Sequence, residues 1–295
     1  MAETIREFAA AGRPWHIWAD YEEPHLPCRP SAPFADMYDP ASIEPWDGFD
    51  DPFVNKPYCH RQQAVNWQLD GARWADVAPM VARYYGVISQ LDDAIGKILA
   101  ALEETGQAGN TIVAFTSDHG DMCGSHRMLD KHYVLYDDIV RVPLIVRHPD
   151  YAPWRCDSFQ SNALDLPASF VRWLSLPDPG GMHGAPLPRS AAEDENPRAC
   201  ITSSGNGQQM GLHSIRMLRD DRCKYVWNLT DVDELYDLTD DPGELNNLIA
   251  RPDLAGRVAD MRRALYADLQ AHGDRLVGNE WTRRQLLDNR KLPAR

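Results

Sequence analysis

Between residues 76 and 104 apolar side chains recur every three or four positions: Val77, Val81, Tyr84, Ile88, Leu91, Ile95, Ile98 and Leu102. That spacing commits one face of a long helix to burial, and Gly106 and Gly109 supply its stop. A short continuous apolar run, Thr111 to Thr116, follows directly and reads as a buried strand, as does Pro143 to Arg147. Tyr133 to Val140 and Leu164 to Leu174 read as further helices. Strand and helix in alternation imply an α/β fold with a parallel sheet. Nearer the start, residues 2–11 read as a short helix stopped at Gly12, and Trp15 to Ala19 as a strand. The prolines of Asp20 to Pro45 mark a loop, and residues 46–75 carry no clear period.

The stretch 177–198 is rich in Pro, Gly and acidic residues and marks a boundary, giving an α/β part over 1–190 and an α+β part with a tail over 191–295. In the second part, short strands at 199–204, 213–219, 223–228 and 233–238 predict a small antiparallel sheet covered by a helix at 252–272. The 44 acidic against 30 basic residues give a net charge of −14, which argues against a nucleic-acid binder. An enzyme for anionic substrates stays open, because a cationic pocket can sit in an acidic shell. Six cysteines without a CxxC spacing favour free thiols over a zinc or disulfide framework. No apolar run approaches the roughly 18 residues of a membrane helix, and Met1 to Ala11 is no signal peptide. The expectation is a cytoplasmic protein with neither membrane nor nucleic-acid partners.

The strongest chemical signal is Thr116-Ser117-Asp118-His119-Gly120-Asp121, directly after a strand. Ligands of open α/β sheets bind beyond the carboxyl ends of strands. A carboxylate beside an imidazole can hold a divalent metal, and Gly120 permits a sharp turn. Taken alone, the pair reads more readily as a solvated turn. Its context is an ordered series: Pro24-His25-Leu26-Pro27, then Gly124-Ser125-His126, Lys131-His132, Tyr136-Asp137-Asp138-Ile139-Val140-Arg141-Val142-Pro143, Asp165-Leu166-Pro167, Lys224-Tyr225-Val226, Glu234 to Leu238 and Asp241 to Leu248. This series resembles the sulfatase family of the alkaline-phosphatase superfamily, from about residue 5 to about residue 270.

The resemblance implies a partial alkaline-phosphatase-like α/β fold: a mixed, mostly parallel sheet flanked by helices, plus the small antiparallel sheet. Asp118 and His119 match the second pair of metal ligands. The metal would be Ca2+, with Mn2+ or Mg2+ as alternatives. His25 matches the histidine that contacts the sulfate or protonates the leaving oxygen, and Lys131 the lysine on the sulfate oxygens. His126 and His132 flank Lys131 as candidate substrate-facing side chains. Arg141 reads as structural, bridging Asp137 or Asp138, and Asp121 as a loop-fixing acceptor. The implied activity is hydrolysis of a small-molecule sulfate ester. A phosphonate or phosphate ester hydrolase and a non-catalytic fragment are the alternatives.

The family's nucleophile motif, Cys/Ser-x-Pro-x-Arg, is not found in the 295 residues, nor is the Asp-Asp pair that supplies the other metal ligands. Cys28-Arg29-Pro30-Ser31-Ala32 ends in Ala where the motif has Arg, and its thiol reads as lining the loop. Asp50-Asp51 follows no strand and reads as a turn. The expectation is therefore a truncated sulfatase, a C-terminal part that is inactive alone and fits a missing N-terminal half.

Overall fold

A computed structural model describes residues 1–131, 133–194, 198–207 and 213–289. The N-terminal part opens with helix α1 (Ala2–Ala11), ended by Gly12 in the left-handed conformation, and runs through loops to α2 (Tyr58–Asn66) and α3 (Trp74–Glu104). The expected helix of 76–104 is thus found and extended by two residues at its start. Its apolar face is split between two contacts. Val77 and Val81 pack on Phe49 and Cys123, and Ala101 and Leu102 pack on Ile5 of α1. Trp46 and Trp74 meet edge to face, 5.7 Å apart. Their indole N–H groups donate to the carbonyls of Cys123 and Ile43.

Strands β1 (Val113–Thr116) and β2 (Leu144–Arg147) lie where the sequence places strands, but they pair antiparallel, Phe115 opposite Ile145. The parallel pairing expected from alternation is not seen among the described residues. The 117–143 connection builds a loop assembly rather than a crossover helix, so the chain returns in the opposite direction. Only α4 (Asp137–Val140) of the expected 133–140 helix forms, and α5 spans Asn162–Trp173. Trp15 to Ala19 has no ladder partner among the described residues and is not a strand. Trp15 and Ile17 instead pack on the α1–α3 contact.

The second part is an antiparallel meander in the order β3 (Ile201–Gly207), β4 (His213–Arg219), β5 (Cys223–Asn228) and β6 (Glu234–Asp237). All six residues of β5 are buried, so both faces of this strand are covered. Tyr225 and Trp227 pack on Met261, Leu265 and Leu269 of α6 (Ala255–Ala271), joined by Leu286 of α7 (Glu280–Asp288). Val226, on the opposite face, meets Leu135 together with Ile215 and Met217. That contact ties the meander to the loop following β1. No helix of the described residues is long and apolar enough to cross a membrane.

Candidate active site

The turn after β1 is fixed by side chains from two directions. Thr116 Oγ1 donates to the Pro143 carbonyl at 2.8 Å. Asn162, at the start of α5, donates its amide to the Ser117 carbonyl at 2.6 Å and to Thr116 Oγ1 at 3.1 Å. Asp118 Oδ1 accepts the His119 backbone N–H at 2.9 Å. His119 Nδ1 lies 2.8 Å from the Gly120 carbonyl. A carbonyl only accepts, so Nδ1 carries a proton, and Nε2 is the ring nitrogen left to face a ligand. Nε2 sits 3.5 Å from Asp118 Oδ2. The glycine after them is needed for close approach rather than for the expected turn geometry. Its φ is not positive, and a Cβ there would stand 1.8 Å from the Asp138 carbonyl.

Asp118 and His119 fit a divalent metal as two of its ligands, one carboxylate oxygen and one imidazole nitrogen oriented through its other N–H. Among the described residues no three His, Cys, Asp or Glu side chains converge on one point.

Lys131 Nζ lies 2.6 Å from His25 Nε2, across 106 residues of sequence. His25 Nδ1 is 2.8 Å from the Leu26 carbonyl. The imidazole therefore donates from Nδ1 and accepts the lysine N–H at Nε2. Asp130 Oδ1 stands 3.0 Å from the same ammonium and 3.9 Å from His25 Nε2. Asp118, His119 and Lys131 all line one open crevice of about 1590 Å³. Asp121 fixes this loop as expected: its Oδ1 accepts the N–H groups of Cys123 and Asp130. Burial pushes its carboxyl up, and the backbone donors only partly offset this.

Three expectations are corrected. His126 does not face substrate: it is buried, its Nδ1 lies 2.6 Å from Asp51 Oδ2, and its ring stacks on Tyr136 at 3.8 Å. Arg141 is exposed and lines the crevice, with no ion pair to Asp137 or Asp138 among the described residues. Asp137 is taken by Arg219 and Lys224 instead, and Asp138 by Ser125. Asp51 is more than a turn residue. It is sealed from water, paired with Lys56, and accepts the Phe53 N–H. His132 lies outside the described residues.

Asp51 begins a buried polar chain that spacing alone did not show. Lys56 also donates to Tyr136 Oη and to the Glu244 carbonyl, and Lys224 donates to Glu244 Oε2 at 2.8 Å. Burial outweighs the Asp51 contact and pushes His126 down to about 4. Burial also lifts Glu234, beside Tyr236 and Asn228, to about 7. Cys28 is buried and its thiol is pushed up, first by burial and then by Asp121. A thiol held neutral is a poor nucleophile, which agrees with a lining role.

The fold and this site are those of the alkaline-phosphatase superfamily. Residues 1–176 match the sulfatase family model, and residues 124–271 match the model of the C-terminal part of N-sulphoglucosamine sulphohydrolase. The chain belongs to the sulfatase family. It is 30% identical over 286 residues to the uncharacterised sulfatase YidJ of Escherichia coli K12, covering 92% of this chain and 53% of that protein. It is 26% identical over 301 residues to the multifunctional alkaline phosphatase superfamily protein PehA of Trinickia caryophylli, covering 90% and 57%. The solved phosphonate monoester hydrolase of Agrobacterium radiobacter superposes with a TM-score of 0.76 at 25% identity, covering 91% of this chain and 60% of that one. The chain spans about half the length of the curated relatives it matches.

Proposed function

We propose that the chain contributes the metal-binding turn and the anion-binding pair of a sulfuric ester hydrolase. The Lys131–His25 contact at 2.6 Å carries this reading, because it joins two distant motifs at a crevice that also holds Asp118 and His119. Lys131 places a positive charge where sulfate oxygens gain negative charge as the ester bond breaks. His25, holding its proton on Nδ1 and accepting from Lys131, orients the ammonium; to assist the leaving oxygen it would first take up a proton at Nε2 and donate it from there. Asp118 and His119 would hold the divalent ion, with Ca2+ as first choice and Mn2+ or Mg2+ as alternatives. Such an ion supplies Lewis-acid polarisation of the sulfate. The attacking group is proposed to come from a segment carrying Cys/Ser-x-Pro-x-Arg, which these 295 residues do not contain. On this reading the chain alone turns over little or no ester.

Phosphonate monoester hydrolysis is a second reading, supported by the likeness to the Agrobacterium enzyme. The test is hydrolysis of 4-nitrophenyl sulfate and of a phenylphosphonate monoester, with and without added metal, by the chain alone and joined to a relative's N-terminal segment. Metal-dependent turnover by the joined protein, lost in Lys131→Ala, supports the proposal, and the faster ester selects between the readings. Undiminished turnover in Lys131→Ala would remove the anion-binding role.

A further inference from the structure

The ammonium of Lys131 donates to His25 Nε2 at 2.6 Å and forms an ion pair with Asp130 Oδ1 at 3.0 Å. A lysine has three N–H groups, so donors remain for a substrate oxygen. An imidazole brings no opposing charge. Asp130 does, and its side chain is only 14% exposed, so solvent screens it weakly. Its backbone is pinned as well. Asp130 has φ +65°, its N–H donates to Asp121 Oδ1, and its carbonyl accepts the Met122 N–H at 2.9 Å. The carboxylate therefore stays beside the ammonium when an anion arrives.

We propose that Asp130 is a charge-selecting residue: it lowers the positive potential of the anion site, which costs a doubly charged tetrahedral ester twice what it costs a singly charged one. The substrate class that follows is monoanionic, sulfate monoesters or phosphonate monoesters, with dianionic phosphate monoesters disfavoured. This rests on the anion-binding role given above to Lys131 and His25. It goes beyond that role by assigning specificity to a residue that contacts the lysine rather than the metal. Lys131 binds the anion, and Asp130 sets how much charge that anion carries.

The test is calorimetric binding of methyl sulfate and methyl phosphate to the full chain and to Asp130→Asn, at about pH 8. The two ligands differ little in shape and by one charge. Asn accepts the left-handed backbone of position 130 almost as readily as Asp does, and an unchanged melting temperature verifies the fold. The native chain is expected to bind methyl sulfate more tightly. In Asp130→Asn the methyl phosphate Kd should fall, closing the ratio of the two Kd values by about fivefold, the size of one screened charge contact. A structural role alone would weaken both ligands and leave the ratio fixed. Binding of both ligands with the ratio unmoved, or moved further toward methyl sulfate, overturns the selection role and leaves the anion site standing. Binding of neither ligand by either protein overturns the anion site and the selection role together.

Discussion

His126 Nδ1 lies 2.6 Å from Asp51 Oδ2, and water reaches neither side chain. Burial alone would raise Asp51, yet the hydrogen bond from His126 and the charge of Lys56 outweigh it and hold the carboxyl below its usual range. Removing one member of such a buried set leaves the others uncompensated. Asp51→Ala should destabilise the protein by about 3–5 kcal/mol, read as a lower urea midpoint. A loss under ~1 kcal/mol, the size of a surface pair, would mean that the network is not closed.

Two groups in this region give stability opposite slopes with pH. His126 is depressed from 6.5 to about 4. Its neutral form therefore supports the fold above pH 6.5, and that support is lost as pH falls through 6.5 toward 4. Glu234 is raised from 4.5 to about 7. The folded state holds its proton, so this contribution is lost as pH rises from 4.5 to 7. Glu234→Gln should gain stability relative to the native protein as pH rises across that window, by at most about 3 kcal/mol. Urea titrations at several pH values read the difference, and a flat difference would show that Glu234 is ionised throughout.

Gly12 and Gly120 should respond differently to alanine. At Gly12 the φ of +64° is the only obstacle, since nothing lies within 4 Å of a new Cβ. The cost there should be about 1 kcal/mol. At Gly120 a Cβ would collide with the Asp138 carbonyl, so Gly120→Ala should displace the Asp118–His119 turn. Metal affinity and melting temperature should fall together at position 120 and only the latter at position 12.

Cys28 sits in the loop of His25, and burial keeps its thiol neutral. It should resist alkylation in the native protein at about pH 8 and react after unfolding. Cys28→Ala should leave ester turnover by the joined protein unchanged. A large loss of activity would restore the cysteine as a nucleophile.

The sequence made some of this legible and hid the rest for physical reasons. α1, α3 and the meander carry clear apolar periods, because each rests one face on a core. Strand direction does not register in a short apolar run, so the antiparallel pairing of β1 and β2 was not foreseeable. The α2 helix carries no apolar period, because the face it buries is Cys59, His60, Gln63 and Ala64, polar or small rather than oily. At the site, His25, Lys131, Asp118 and His119 were readable as motifs. The buried contacts of Asp51 with His126 and of Lys56 with Tyr136 were not, because contacts between distant segments leave no local period. Asn162 and Asp130 act through contacts with the motifs and carry no signature of their own.

The polar chain from Asp51 to Lys224 also bears on how this protein can be divided. Composition places a seam at 177–198, but Lys56 reaches the Glu244 carbonyl, and Asp137 is held by Arg219 and Lys224. A cut at 190/191 would leave Asp137 without Arg219 and Lys224 and would take the Glu244 carbonyl from Lys56. The two pieces should therefore be insoluble when produced separately and recoverable when produced together. Any gene fusion or permutation that works should keep both in one cell.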